Sequence, residues 1–333
     1  MLLSVIIPIY NSEAWIEDCL NSILDQTMTI DEMEVVCVND GSTDRTLDML
    51  LEYKEKDARI RVFTKENGGL SSALNYGIER AQGQYAILIN YDDYIDGRCF
   101  DKVITFMQDH DIDIFHGATQ EVPFDSHYEK KYIDKDIEII DNNSYAAPGD
   151  GGMTYYKTSL IKNCLWDEKA GACAEWLFYD AVSKNASNIV FSKYPTYYHR
   201  AVETSLGKVR TVKATEKRMA SLLYLAEKYK NEFHYSVAYR MAVQSYLMDA
   251  MTLYSNEQLK KEILPNLKAK NLYPYKLIWR NWKPVRTASQ LKLKLTLVNI
   301  AMFLFPWKWY YLLFAKIFRK RRKVESVRER EAK

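Results

Sequence analysis

The sequence is short of the features that most directly fix a function class. Its five cysteines, Cys19, Cys37, Cys99, Cys164 and Cys173, are an odd number and contain no C-x-x-C pair. That argues against a disulfide framework or a structural zinc site and fits a reducing compartment. No apolar run reaches the ~18 uninterrupted residues of a membrane-spanning helix. The N-terminal stretch Met1-Leu2-Leu3-Ser4-Val5-Ile6-Ile7-Pro8 is apolar but lacks a basic flank and a small-residue cleavage site, so it reads as a first strand and not as a signal peptide. Net charge is almost absent: 46 Lys and Arg against 44 Asp and Glu leave +2. Bulk electrostatics therefore predict neither nucleic acid nor another polyanion as a partner. Internal repeats are missing. So is a Gly-rich phosphate loop with a basic residue near the first strand, where Pro8-Ile9-Tyr10-Asn11 stands instead; that sets nucleotidyltransferase chemistry aside.

What is present is the material of a large folded core. The chain has 333 residues, 47% hydrophobic and 27% charged, which is more than one average domain and fewer than three. The first ~105 residues alternate strand and helix signals at the spacing of a parallel α/β sheet. The β-branched run Leu3 to Ile9 predicts a strand stopped by Pro8 and Asn11-Ser12. The spacing of Trp15, Ile16, Cys19, Leu20, Ile23 and Leu24 predicts an amphipathic helix over Glu13 to Gln26. Met33 to Val38 is a second buried strand, in which Cys37 serves as a small hydrophobe. Ser42, Thr43 or Asp44 then caps a helix running through Tyr53. Ile60 to Thr64 is a third strand, Glu66-Asn67-Gly68-Gly69 a loop, and Ser71 to Ala81 a helix with Gly83 as its C-terminal cap. Tyr85 to Ile89 forms the fourth strand. Further on, Ile112 to Phe115 and Ile189 to Phe191 read as strands and Leu177 to Lys184 as a helix. Residues 147–152 read as a loop, and 205–280 as amphipathic helices.

Ligands of open parallel sheets gather at the carboxyl ends of the strands. Three strand ends here carry polar turns: Tyr10-Asn11, Asn39-Asp40-Gly41 and Asn90-Tyr91-Asp92-Asp93. Asp40 is placed to accept an N–H from a nucleotide base, or, on the plainer reading, to organise an Asx-type turn. Asp92 and Asp93 are adjacent carboxylates whose mutual repulsion is relieved by solvent or by a divalent cation that also holds a diphosphate. Mg²⁺ and Mn²⁺, which prefer oxygen donors, suit such a pair.

Four motifs occur together in order: Val5-Ile6-Ile7-Pro8-Ile9-Tyr10-Asn11, Val38-Asn39-Asp40-Gly41-Ser42-Thr43-Asp44, Asn67-Gly68-Gly69-Leu70-Ser71 and the Asp92-Asp93 turn. In order and spacing they resemble the family 2 inverting glycosyltransferases, and most closely the bacterial capsule, exopolysaccharide and teichoic-acid enzymes of that family. The resemblance covers residues 1–205 and implies a GT-A fold, a Rossmann-like, mostly parallel α/β sheet flanked by helices, followed by a helical region at 206–285 and a tail at 286–333. It implies a UDP-sugar donor, a glycan or lipid-linked acceptor and a divalent metal, Mn²⁺ or Mg²⁺. Donor contacts fall on Pro8, Tyr10, Asn11, Asp40, Asn67, Gly69, Asn90, Tyr91 and Asp92, and metal contacts on Asp92, Asp93 and His199. The general base falls on Glu175, at the place of the family's Glu-Asp pair; a carboxylate there is also favoured simply by the helix dipole. Arg200, beside His199, is a candidate phosphate partner, whereas His110, His116, His127 and His234 show no ligand spacing.

The chain departs from the family pattern at Leu74, where an Arg is usual, at Asn90, the first acid of the Asp-x-Asp motif, and at Ala174, the first acid of the Glu-Asp pair. These losses leave room for a second reading, a GT-A-like subunit with little activity that binds or scaffolds a partner transferase. Near the C-terminus, Leu291 to Phe318 is rich in large apolar residues. Trp307, Trp309, Tyr310 and Tyr311 follow Pro306, and Arg319-Lys320-Arg321-Arg322-Lys323 comes next. Aromatics beside a polybasic flank predict an interfacial anchor on the cytoplasmic face of the cell membrane. The alternative is a helix pair that covers this patch on the catalytic domain or in a homo- or hetero-oligomer.

Overall fold

The strand signals resolve into one twisted sheet because the apolar runs are buried on both faces. The structure, a computed structural model, describes residues 1–130, 136–142, 154–171 and 174–200, with isolated positions between 217 and 228. Strand β1 (Leu3–Ile9) and strand β2 (Met33–Asn39) are buried at every position. Each fully buried Ile or Val in them contributes about 1.5–3 kcal/mol relative to exposure. Strands β3 (Ile60–Thr64) and β4 (Tyr85–Leu88) complete a four-stranded parallel unit in the order β3-β2-β1-β4. The short right-handed crossovers expected of such a unit are helices α1 (Ile16–Leu24), α2 (Thr46–Lys56) and α3 (Leu70–Arg80).

Pro8 does not stop β1. The Ile6 carbonyl accepts from Ile89 on the β4 side and the Ile9 carbonyl from Asp40 on the β2 side. Alternation along the strand therefore turns the proline nitrogen toward β4, just beyond the Ile6–Leu88 pair where that ladder ends. Gly83 has a different job from the predicted cap. Helix α3 ends at Ala81 in an extended conformation. A Cβ on Gly83 would sit 2.5 Å from the Ser4 backbone nitrogen, and its own N–H donates to Ser4 Oγ at 2.8 Å. The glycine is required by close approach to β1. At the predicted cap of α2, Asp44 Oδ1 accepts the Thr46 N–H at 3.0 Å.

The second half of the sheet is mixed. After β5 (Tyr94–Ile95) and α4 (Cys99–Asp109) come β6 (Ile114–Val122), β7 (Ile139–Asn142), β8 (Thr154–Lys157), α5 (Thr158–Lys162), α6 (Ala174–Lys184) and β9 (Ile189–Arg200). The full order is β3-β2-β1-β4-β8-β6-β9-β5, with β7 paired to β9. Strand β8 runs antiparallel to both β4 and β6, while β6 and β9 are parallel. Two predicted strands prove longer than their apolar cores: β6 continues to Val122, and β9 continues through Pro195, so His199 and Arg200 lie within a strand and not after one. Pro195 is tolerated opposite Ala118, where the β6–β9 register shifts. Helix α6 starts three residues earlier than predicted, at Ala174, which puts Glu175 in its first turn.

The chain divides into two compact units, Met1–Glu168 with Ala174–Ser205, and Lys169–Cys173 with Leu206–Lys333. The predicted helical region and the aromatic, basic tail lie outside the described residues. Among those described, no helix is long and apolar enough to cross a membrane.

Candidate functional site

Strand β1 lies between β2 and β4, and all three run parallel, so the chain leaves each of them at the same rim. Adjacent strands are ~4.8 Å apart, which sets the ends of β2 and β4 on the order of 10 Å from each other across β1. The three polar turns singled out in the sequence thus share one edge. The turns after β1 and β2 are laced together. Asn11, held at a φ of 47°, accepts the Thr43 N–H on Oδ1 at 2.8 Å, and its own N–H donates to Ser42 Oγ at 3.0 Å. Ser12 N–H donates to Thr46 Oγ1 at 2.8 Å. Tyr91 in the third turn is half-buried, and burial, with the nearby charges of Asp92 and Asp44, holds its phenol in the neutral form. Tyr10 projects from this rim with 43% of its surface exposed, whereas Pro8 is buried within the strand.

Asp40, 3% exposed, is enclosed by the loop after β3. Its Oδ1 accepts from Lys65 Nζ at 2.7 Å and from Gly68 N–H at 3.0 Å, and its Oδ2 accepts from Gly69 N–H at 2.7 Å. Asn67 Nδ2 donates to the Asp40 carbonyl at 2.8 Å. Gly69 is the N-cap of α3 at a φ of 84°, a conformation that favours glycine. Three donors occupy a carboxylate with about four acceptor positions, so room for one further N–H remains. Lys65 did not stand out in the sequence, although a lone basic residue beside a Gly-Gly loop was the available signal.

The Asn90–Asp93 turn treats its two carboxylates differently. Asp93 is buried, and its oxygens are taken: Oδ1 by the Arg200 backbone N–H at 2.9 Å, and Oδ2 by the Tyr197 hydroxyl at 2.5 Å and Asn90 Nδ2 at 3.3 Å. Asp92 is half-buried and, among the described residues, its carboxylate makes no hydrogen bond or ion pair to another residue. Burial, with the neighbouring Asp93 charge, pushes its pKa up to about 6, against the opposing pull of His199 and Arg200. A carboxylate held in this state gains from any cation that reaches it.

Arg200 is not free to meet a phosphate. The side chain is fully buried, with Nη1 donating to the Asp92 carbonyl at 2.7 Å, Nε to the Ser126 carbonyl at 2.8 Å and Nη2 paired with Asp18. Its guanidinium also lies 5.0 Å from the Trp15 ring and 4.9 Å from the Tyr94 ring. Arg200 and Tyr197 therefore hold the carboxylate turn from the far end of the sheet, a role hidden by the 107-residue separation between Asp93 and Arg200. His199, on the neighbouring position of β9, is partly exposed.

Glu175 opens α6 as the sequence implies. Solvent reaches its side chain, yet enough protein surrounds the carboxyl to raise its pKa through desolvation. Leu74 and Ala174 are both buried. Asn75 next to Leu74 binds both backbone groups of Trp166, donating to its carbonyl at 2.9 Å and accepting its N–H at 2.7 Å.

Among the described residues, no three His, Cys, Asp or Glu side chains gather into a ready-made metal cluster. A cation of the Mg²⁺ type does not need one, because it is commonly held by one or two carboxylates together with substrate phosphates and water. The Asp92 carboxylate, which has no partner among the described residues and lies near His199, fits that mode.

An open α/β sheet with polar turns gathered at the carboxyl rim of its parallel strands, extended by an antiparallel strand, is the arrangement of the GT-A class of fold. Residues 4–163 match the profile of Glycosyl transferase family 2. The chain is 42% identical over 113 residues to an uncharacterized glycosyltransferase, EpsJ, of Bacillus subtilis, covering 34% of this chain and 32% of that protein. It is 32% identical over 166 residues to a poly(ribitol-phosphate) beta-glucosyltransferase of Bacillus spizizenii, covering 49% of this chain and 26% of that protein. The matched stretches thus span only about a third or less of those relatives. Among solved structures, residues 1–349 of Staphylococcus aureus TarS in complex with UDP superpose with a TM-score of 0.54 at 20% identity, over 86% of this chain and 93% of that one.

Proposed function

We propose that this protein is an inverting glycosyltransferase that moves a sugar from a UDP-sugar to a hydroxyl of a glycan or lipid-linked acceptor in cell-surface polysaccharide synthesis. The observation that carries the reading is the placement of one carboxylate without a partner among the described residues, Asp92, on the same rim as Tyr10 and Asp40, at the tips of parallel strands. Tyr10 and the remaining acceptor position of Asp40 receive the uracil, and the Gly69 and Asn90 turns border the diphosphate and sugar. Asp92, with His199 beside it, would hold a divalent cation, Mn²⁺ or Mg²⁺, which would supply positive charge for the leaving diphosphate. Glu175 takes the proton from the acceptor hydroxyl, whose oxygen attacks the anomeric carbon opposite the departing UDP. A single displacement inverts the configuration. Desolvation suits Glu175 to this task, because a carboxylate base works best when its pKa is raised toward the working pH. The UDP complex of TarS and the poly(ribitol-phosphate) relative support a uridine donor and a polyol-phosphate or glycan acceptor.

The test is release of UDP from UDP-glucose and UDP-N-acetylglucosamine with Mn²⁺. Wild type turns over one of them, and both Asp92→Ala and Glu175→Gln lower the rate by on the order of 10²-fold or more. Equal release by all three proteins refutes the assigned roles. We further propose that the tail places this reaction at the cytoplasmic membrane surface. Truncation before Lys292 then moves the protein from the membrane fraction to the soluble one, and unchanged fractionation removes the claim.

A further inference from the structure

One buried titratable group has no part in the chemistry above. His116 lies on β6, 4% exposed, with its ring stacked 4.4 Å from Phe191 of β9. Both of its ring nitrogens are engaged inside the protein. Nδ1 is 2.8 Å from Thr154 Oγ1 on the paired strand β8, and Nε2 is 2.8 Å from the Tyr179 hydroxyl on α6. Burial holds the imidazole neutral, with its pKa down to about 3, so one nitrogen donates and the other accepts. The result is a buried polar chain, Thr154–His116–Tyr179, that ties β8, β6 and α6 together.

The spacing on α6 gives this chain its consequence. Glu175 and Tyr179 are four residues apart, so they share one face of the helix, one turn and ~6 Å along its axis. Apolar packing alone, such as Phe178 on Trp166 at 4.8 Å, tolerates small rotations of a helix about its axis. A directed hydrogen bond from a buried, doubly anchored imidazole does not.

We propose that His116 is a positioning residue: through Tyr179 it fixes the rotation of α6 and so aims the Glu175 carboxylate. The inference rests on Glu175 being the general base. Tyr179→Phe removes only the hydroxyl, and His116→Gln retains one donor and one acceptor.

The experiment compares these variants with wild type for UDP release from UDP-glucose and UDP-N-acetylglucosamine, for UDP affinity by calorimetry, and for hydrogen exchange. Tyr179→Phe lowers kcat roughly 10-fold, since small misplacements of a catalytic group are costly. Its donor KM and UDP affinity stay within twofold of wild type, and His116→Gln recovers part of the rate lost in His116→Ala. Independently of any turnover, amides of residues 174–180 exchange faster in Tyr179→Phe while those of β1 and β2 keep wild-type protection. Wild-type kcat and wild-type exchange of α6 in Tyr179→Phe overturn the proposal. So does a parallel fall of kcat and UDP affinity, which would make the chain a support of the whole fold. Full activity of Glu175→Gln sinks the base assignment by itself, whatever Tyr179→Phe does; an inactive Glu175→Gln beside a fully active Tyr179→Phe sinks the positioning claim alone.

Discussion

Asp40 and Asp92 leave the strands on either side of β1 at the same rim, yet the protein surrounds them in opposite ways. Asp40 is clasped by an ammonium group and two backbone N–H groups, while the Asp92 carboxylate has no such partner among the described residues and carries a raised pKa. Asp93 repeats the contrast one residue away, with all its bonding spent on Asn90, Tyr197 and Arg200. The difference separates two uses of a buried acid. One builds the crevice, and the other is held ready at a cost in stability.

Substitution should split the two uses cleanly. The largest effect is expected from Asp92→Asn, which lowers Mn²⁺-dependent UDP release on the order of 10³-fold, the scale of losing several kcal/mol of charge stabilisation. The same change raises resistance to urea by about 1 kcal/mol, because it removes a charge that burial disfavours. Asp40→Asn has the opposite sign on stability. It leaves Lys65 and the Gly68 and Gly69 N–H groups short of an acceptor and costs about 3 kcal/mol in urea unfolding. If Asp40→Asn keeps full stability, the clasp is not what holds the loop after β3.

The pH dependence sharpens the contrast further. Asp92 in the folded, metal-free protein titrates at about 6, above its ordinary value of 3.8. Between these values the folded state keeps a proton that the unfolded state has released, so its contribution to stability is present at low pH and is lost as pH rises through about 6. Mn²⁺ needs the ionised form, so affinity measured by calorimetry is flat above neutrality and falls toward 10-fold per pH unit below about pH 6. Asp92→Asn abolishes that slope; a wild-type profile that is flat down to pH 5 would remove Asp92 from the metal site.

The parallel half of the sheet was legible because its central strands β1 and β2 are buried at every position and are rich in β-branched apolar residues, each ending in a polar turn. Leu3 to Ile9 and Ile60 to Thr64 appear at the bounds their composition sets. The mixed half was harder. Strand β9 runs through Pro195 and a row of tyrosines, because β5, β6 and β7 all pair with it, and no local signal encodes those partners. Arg200 looked like a phosphate ligand for the same reason: exposure is not a property of one residue, and the aromatic rings and Asp18 that enclose it come from distant segments.

The sequence by itself determined that polar turns follow three buried strands, and the rule that parallel strands share a carboxyl edge then brings Tyr10, Asp40 and Asp92 to one rim. Only the tertiary structure decided which acids there are spent and which is left over. Hydrogen-bond satisfaction inside a protein is settled by whatever packs nearby, and the groups that hydrogen-bond Asp93 and His116 arrive from as far as 107 and 63 residues along the chain.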